Sequence, residues 1–179
     1  MRAAWWEKIH LEAEEESPAK SHSPARTAFL AISLGGLIAG ACDLTYALVF
    51  YATQGVKPIR IPQSIASGLL GMSSYDGGLA TAVLGVALHF TIALTAAAVY
   101  YWGSRKIELL VRSATICGLI YGAAVYFFMR WVVIPLSAAP HFKTTWLSTS
   151  TDFAVHVFLI GLPIALVVRH YRQSVSEKT

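Results

Sequence analysis

Gly77-Gly-Leu-Ala-Thr-Ala-Val-Leu-Gly-Val-Ala-Leu-His89-Phe-Thr-Ile-Ala-Leu-Thr-Ala-Ala-Ala-Val-Tyr-Tyr-Trp-Gly-Ser104 carries no formally charged side chain and a single imidazole. A bilayer core of ~30 Å is crossed by about 20 apolar residues at ~1.5 Å rise each, so this stretch is long enough to span a membrane. At four-residue steps one helical face reads Thr81, Gly85, His89, Ala93 and Ala97. Small-residue stripes mark where membrane helices pack closely. The imidazole near the middle of the span is therefore expected to face protein rather than lipid.

The rest of the chain repeats this pattern. Of its 179 residues 55% are hydrophobic and 13% charged, where soluble domains hold about 25% charged residues. The mean hydropathy is +0.54. Further apolar runs give spans at about 27–53, 113–136 and 148–169 beside the one at 79–102. The expectation is an all-α, four-helix integral membrane bundle over residues 27–172, solvated in the lipid bilayer. The formal charge of +4 does not point to nucleic acid, because the basic residues sit in short segments between apolar runs. Cys42 and Cys117 fall at different depths, which predicts unpaired thiols packed as small apolar groups.

Residues 1–26 lack the short apolar core and small-residue cleavage site of a secretory signal, so the tail is expected to be retained. Trp5, Trp6, Ile9 and Leu11 beside Glu12, Glu14, Glu15 and Glu16 suit either an amphipathic segment at the membrane surface or a solvated tail. Ser17-Pro18 and Ser23-Pro24 read as helix breakers. Within residues 54–78, Pro62 near a start and Gly68 or Gly71 near an end predict a short interfacial helix. Pro163 predicts a kink in the last span. Ten Lys and Arg residues lie in the N-terminal tail, the 105–112 connection and the C-terminal end, against three in the other two loops. That asymmetry predicts cytoplasmic N- and C-termini, with residues 173–179 as a cytoplasmic tail.

Each span brings an ionisable residue. Asp43 continues the small face Ala31, Gly35, Ala39, Asp43, Ala47 and costs about 2.5–3.5 kcal/mol to place in lipid, so it needs a partner, a proton or water. Counted from the outer ends at ~1.5 Å per residue, Asp43 and His89 lie ~15 Å deep and Arg130 and His156 ~10 Å deep, with Asp152 above them. The third span has its own stripe, Ala114, Gly118 and Gly122, running on to Tyr126 and Arg130. Asp43, His89, Arg130, Asp152 and His156 are thus expected to form one polar cluster, with Arg130 pairing Asp152 or Asp43. Gly35, Gly36, Gly40, Gly85, Gly118 and Gly122 are expected at helix contacts, and Gly36-x-x-x-Gly40 has the spacing of a dimerisation motif.

Several functions would use such residues. A structural or accessory protein, whether a subunit of a larger membrane complex or a homodimer, needs only that the cluster join the helices. A small proton-coupled transporter or proton relay would titrate Asp43 and His89. A b-type haem would take His89 and His156 as axial ligands. A metal-assisted enzyme fits least: there is no His-Glu-x-x-His, Gly-x-Ser-x-Gly, Cys-x-x-Cys or phosphate loop, so neither catalytic nor metal residues are assigned. The first reading is preferred, with no enzymatic activity and no cofactor.

Leu-His89-Phe-Thr and Ala-Ala-Val-Tyr100-Tyr in the second span, Val-Ile-Pro135-Leu-Ser after the third and Asp152-Phe-Ala-Val-His156 in the fourth resemble the YagU-like group of small bacterial inner-membrane proteins, over about residues 79–172. The resemblance implies a four-span protein of a bacterial inner membrane. It implies no catalytic residue, and it groups His89, Pro135, Asp152 and His156.

Overall fold

The computed structural model describes residues 23–140 and 144–176. The amphipathic reading of residues 1–16, the Ser17-Pro18 break and loop residues His141 and Lys143 lie outside them. Four helices are long and apolar enough to cross a membrane: α1 (Pro24–Thr53), α3 (Gly78–Ser104), α5 (Ala114–Leu136) and α6 (Trp146–Gln173). α2 (Arg60–Leu70) and a 3₁₀ turn (Gly71–Tyr75) fill the first long connection, and a single turn, α4 (Leu109–Arg112), precedes α5. No strand occurs among the described residues. The expected all-α four-helix membrane bundle is the observed fold.

Helix ends follow local chemistry. Ser23-Pro24 opens α1 instead of breaking it: the Ser23 hydroxyl accepts from the Arg26 N–H at 3.3 Å, and proline at the first position lacks only an N–H that would be unpaired there. Thr145 and Ser148 form a reciprocal capping box at the start of α6. Pro163 has no N–H for the carbonyl four residues back, and the turn just before it, His156–Gly161, is a π turn that absorbs the mismatch. α5 carries a second π turn at Met129–Val133.

α1 stands between α3 and α6, and α5 packs on the far side of α6. Because lipid is as apolar as the helix surfaces, close approach of backbones holds the bundle more than removal of apolar surface from water. Gly36 and Gly40 pack on α3, where an added Cβ would stand 2.8 Å from Leu94 Cα and 3.0 Å from the Phe90 ring. The spacing read as a dimerisation motif is thus used within the chain. Gly35 faces Ile164 and Ala97. Gly118 and Gly122 lie against Gly161, Ala165, His156 and Val157 of α6. α3 and α5 are tied by the Tyr121 hydroxyl, which donates to the Ala96 carbonyl at 2.7 Å, and by edge contact of Tyr100 with Tyr121. At the end of the bundle where the described chain starts and stops, Ala31, Ala97, Ile164, Ala165 and Val168 are fully enclosed.

α2 is a strap across the opposite end. Its Pro62 lies directly on Gly85 of α3, where a Cβ would overlap the Pro62 carbonyl. The Gln63 amide donates to the Gly78 carbonyl at 3.0 Å, Thr81 donates to the Ser74 carbonyl at 2.6 Å, and the Ala138 N–H beyond α5 donates to the Gly68 carbonyl at 2.9 Å. Gly71 closes α2 at φ +61°, a conformation that a side chain would strain. The thiols of Cys42 and Cys117 are unpaired, as expected.

A candidate site of carboxylates, imidazoles and phenols

Asp43 on α1 sits where its small-residue face leaves room for a neighbour, and that neighbour is His89 of α3. His89 Nε2 is 2.8 Å from the Gly40 carbonyl and 3.9 Å from Asp43 Oδ2. A carbonyl only accepts, so Nε2 carries the proton and donates. Gly40 lets α3 come close at this level, since a Cβ there would press on the Phe90 ring and on Ala93. The two side chains keep 13% and 21% of their surface open, so the pair is half-buried rather than sealed.

Asp152 of α6 comes to the same region from the other side of α1. The Tyr46 hydroxyl donates to Asp152 Oδ1 at 3.2 Å, and the Tyr51 phenol lies close enough to feel the charge of the same carboxylate. One turn on, His156 Nδ1 donates to the Asp152 carbonyl at 2.8 Å, and its ring meets the edge of Tyr126. Asp43 is within electrostatic range of both His89 and His156, and Asp152 of His156 and Asp43. Three helices thus bring two carboxylates, two imidazoles and two phenols into one group. With both imidazoles neutral and both carboxylates ionised the group carries two negative charges, and two protons neutralise it.

Four of the five residues expected in the cluster are brought together; Arg130 is not. It is exposed and donates to the Thr144 hydroxyl at 3.2 Å. The expected pairing with Asp152 or Asp43 fails because the π turn at Met129–Val133 interrupts the four-residue register that carries Tyr126 toward α6. No Lys or Arg among the described residues reaches ion-pair distance of either carboxylate; phenols stand in its place. Sequence reasoning missed Tyr46 and Tyr51. Tyr46, three residues beyond Asp43, carried a helix-spacing signal; Tyr51, eight beyond it, falls on the other flank of the helix and carried none.

The arrangement limits the chemistry. No three His, Cys, Asp or Glu side chains among the described residues converge as metal ligands. His89 already uses Nε2 toward Gly40, leaving only Nδ1 for a haem iron. The enclosed Ala31–Ala97–Ile164 layer closes the bundle on the side away from α2. Fold and site together define a small polytopic membrane protein with a polar cluster of carboxylates and imidazoles among its helices. No family model matches the chain, and neither the curated proteins nor the solved structures give a significant match.

Proposed function

We propose that the chain is a structural or accessory membrane protein whose Asp43–His89–Asp152–His156 cluster sets how α1, α3 and α6 meet, within a larger membrane complex. One observation carries the reading: the bridging hydrogen bonds of the cluster, His89 to Gly40 and Tyr46 to Asp152, join α1 to each of its two neighbours. No catalytic step is assigned. The Lys and Arg asymmetry and the YagU-like resemblance support a bacterial inner membrane with both termini cytoplasmic. Mild-detergent extraction of native membranes is expected to yield the protein in an assembly larger than itself. Elution as a lone monomer overturns the accessory role.

The half-open Asp43–His89 pair favours a second reading, a proton-relay or proton-coupled site. Asp43→Asn separates the two. On the structural reading it lowers stability in detergent by no more than about 0.6 kcal/mol, because the Asp43 carboxylate lies 3.9 Å from His89 Nε2 and the bridging bond of His89 to Gly40 remains, and it leaves proton flux in proteoliposomes at the lipid background. Flux in the wild type that Asp43→Asn abolishes would replace the first reading with the second. A double-mutant cycle with His89→Gln is expected to show coupling of similar size, because both changes remove one contact.

A further inference from the structure

Beyond the cluster, α5 and α6 leave a groove on their outer side whose polarity changes along its length. Near the α2 end it measures about 500 Å³ and is bordered by Arg130, Trp131, Trp146 and Ser150. Deeper along the same helix pair lies a second groove of about 390 Å³, bordered by Leu119, Ile120, Val157 and Phe158. Phe153 borders both, so they run on from one to the other. From Arg130 to Leu119 is about 16 Å along α5 at ~1.5 Å per residue, a length suited to an acyl chain.

The polar end lacks an anion. Arg130 has five N–H donors, and the hydrogen bond recorded for it goes to the neutral Thr144 hydroxyl. No carboxylate among the described residues comes within ion-pair distance of it. Asp152 is engaged elsewhere by Tyr46. Trp131 and Trp146 flank the groove at 69% and 86% exposure, and exposed tryptophans sit at the headgroup level of membranes. An unmatched guanidinium beside these rings, its long side chain able to reach up toward the headgroups above an apolar channel, complements a phosphate esterified to an acyl glycerol.

We propose that an anionic phospholipid docks in this groove, its phosphate on Arg130 and one acyl chain between α5 and α6 from Phe153 to Phe158. This site adjoins the polar cluster at Tyr126, whose ring lies between the groove and His156, but does not depend on the cluster's role. The test is native mass spectrometry of the delipidated full chain titrated with phosphatidylglycerol or phosphatidylcholine. One phosphatidylglycerol is expected to bind in preference to phosphatidylcholine. Arg130→Gln, at an exposed position, is expected to weaken that binding about tenfold, with Arg130→Lys restoring part of it as a point charge. Ala123→Phe, which fills the apolar part, is expected to weaken it without touching the cation, and glycerol phosphate is expected not to compete. Unchanged binding in Arg130→Gln overturns the proposal. So does full competition by glycerol phosphate, which would make this a site for a free anion. Should Ala123→Phe disturb folding, shortening the lipid chains to six carbons probes the same contact, and undiminished binding would count against the acyl seat.

Discussion

Gly161→Leu is expected to separate α5 from α6 and to destabilise the protein by about 3 kcal/mol or more, seen as loss of a monodisperse species in detergent. A Cβ at Gly161 would overlap the Gly118 carbonyl oxygen and the Gly122 amide nitrogen, both main-chain atoms. A flexible side chain could swing aside; a backbone inside a helix moves only if the helix moves. The contact is reciprocal, since a Cβ at Gly118 would stand 3.0 Å from the Gly161 carbonyl oxygen, and one at Gly122 would overlap the His156 carbonyl a turn away. Gly161→Ala is therefore expected to cost about 1–3 kcal/mol despite the better helix propensity of alanine. Gly68→Ala makes the contrast: its nearest neighbour is Ser137 Cβ at 3.7 Å, an ordinary contact, so the change is expected to stabilise by about 0.5–1 kcal/mol. Thermal unfolding of the three variants under one detergent condition checks the order. Gly161→Ala as stable as the wild type would mean that α5 and α6 are not held by main-chain approach.

How much of this could be read beforehand differs from residue to residue. The uncharged run at residues 77–104 and its three counterparts fix the bundle, because bilayer thickness sets span length and leaves a chain of this composition few alternatives. The Asp43–His89 pairing follows from depth and from small-residue faces, which are one-helix properties. Gly161 was not legible in the same way. It stands one four-residue step before Ala165 in a span with no longer row of small residues, and it matters because Gly118 and Gly122 of another helix face it. Gly36 and Gly40 show the converse: the spacing says that a backbone comes close but not whose, and the partner is α3 of the same chain. Arg130 was misplaced by a π turn that nothing in the residues 129–133 announces. Tyr46 looks like an interfacial aromatic, and only Asp152 arriving from α6 turns it into a hydrogen-bond donor.

The second large effect is expected at Gly85, and it is local where that of Gly161 is global. Gly85→Val places a branched side chain where the Pro62 carbonyl now sits, so α2 must lift from α3. The Gln63 bond to the Gly78 carbonyl and its 3.4 Å contact with the Thr81 hydroxyl are lost together. α1, α5 and α6 take no part in that contact and keep their glycine seams. Hydrogen exchange is thus expected to rise at least about tenfold across Arg60–Leu70, with little change in Ala114–Phe128, since a segment opens at the free energy of its own contacts. His89 lies one turn below Gly85 on the same face of α3, so lifting the strap should also open the Asp43–His89 pair. Its imidazole is then expected to react faster with diethyl pyrocarbonate than in the wild type. Raised exchange in α2 without faster His89 modification would show that α1 and α6 cover the pair and α2 does not. Faster modification would identify α2 as the cover over the cluster, the element that any proton or ligand approaching from that end must pass.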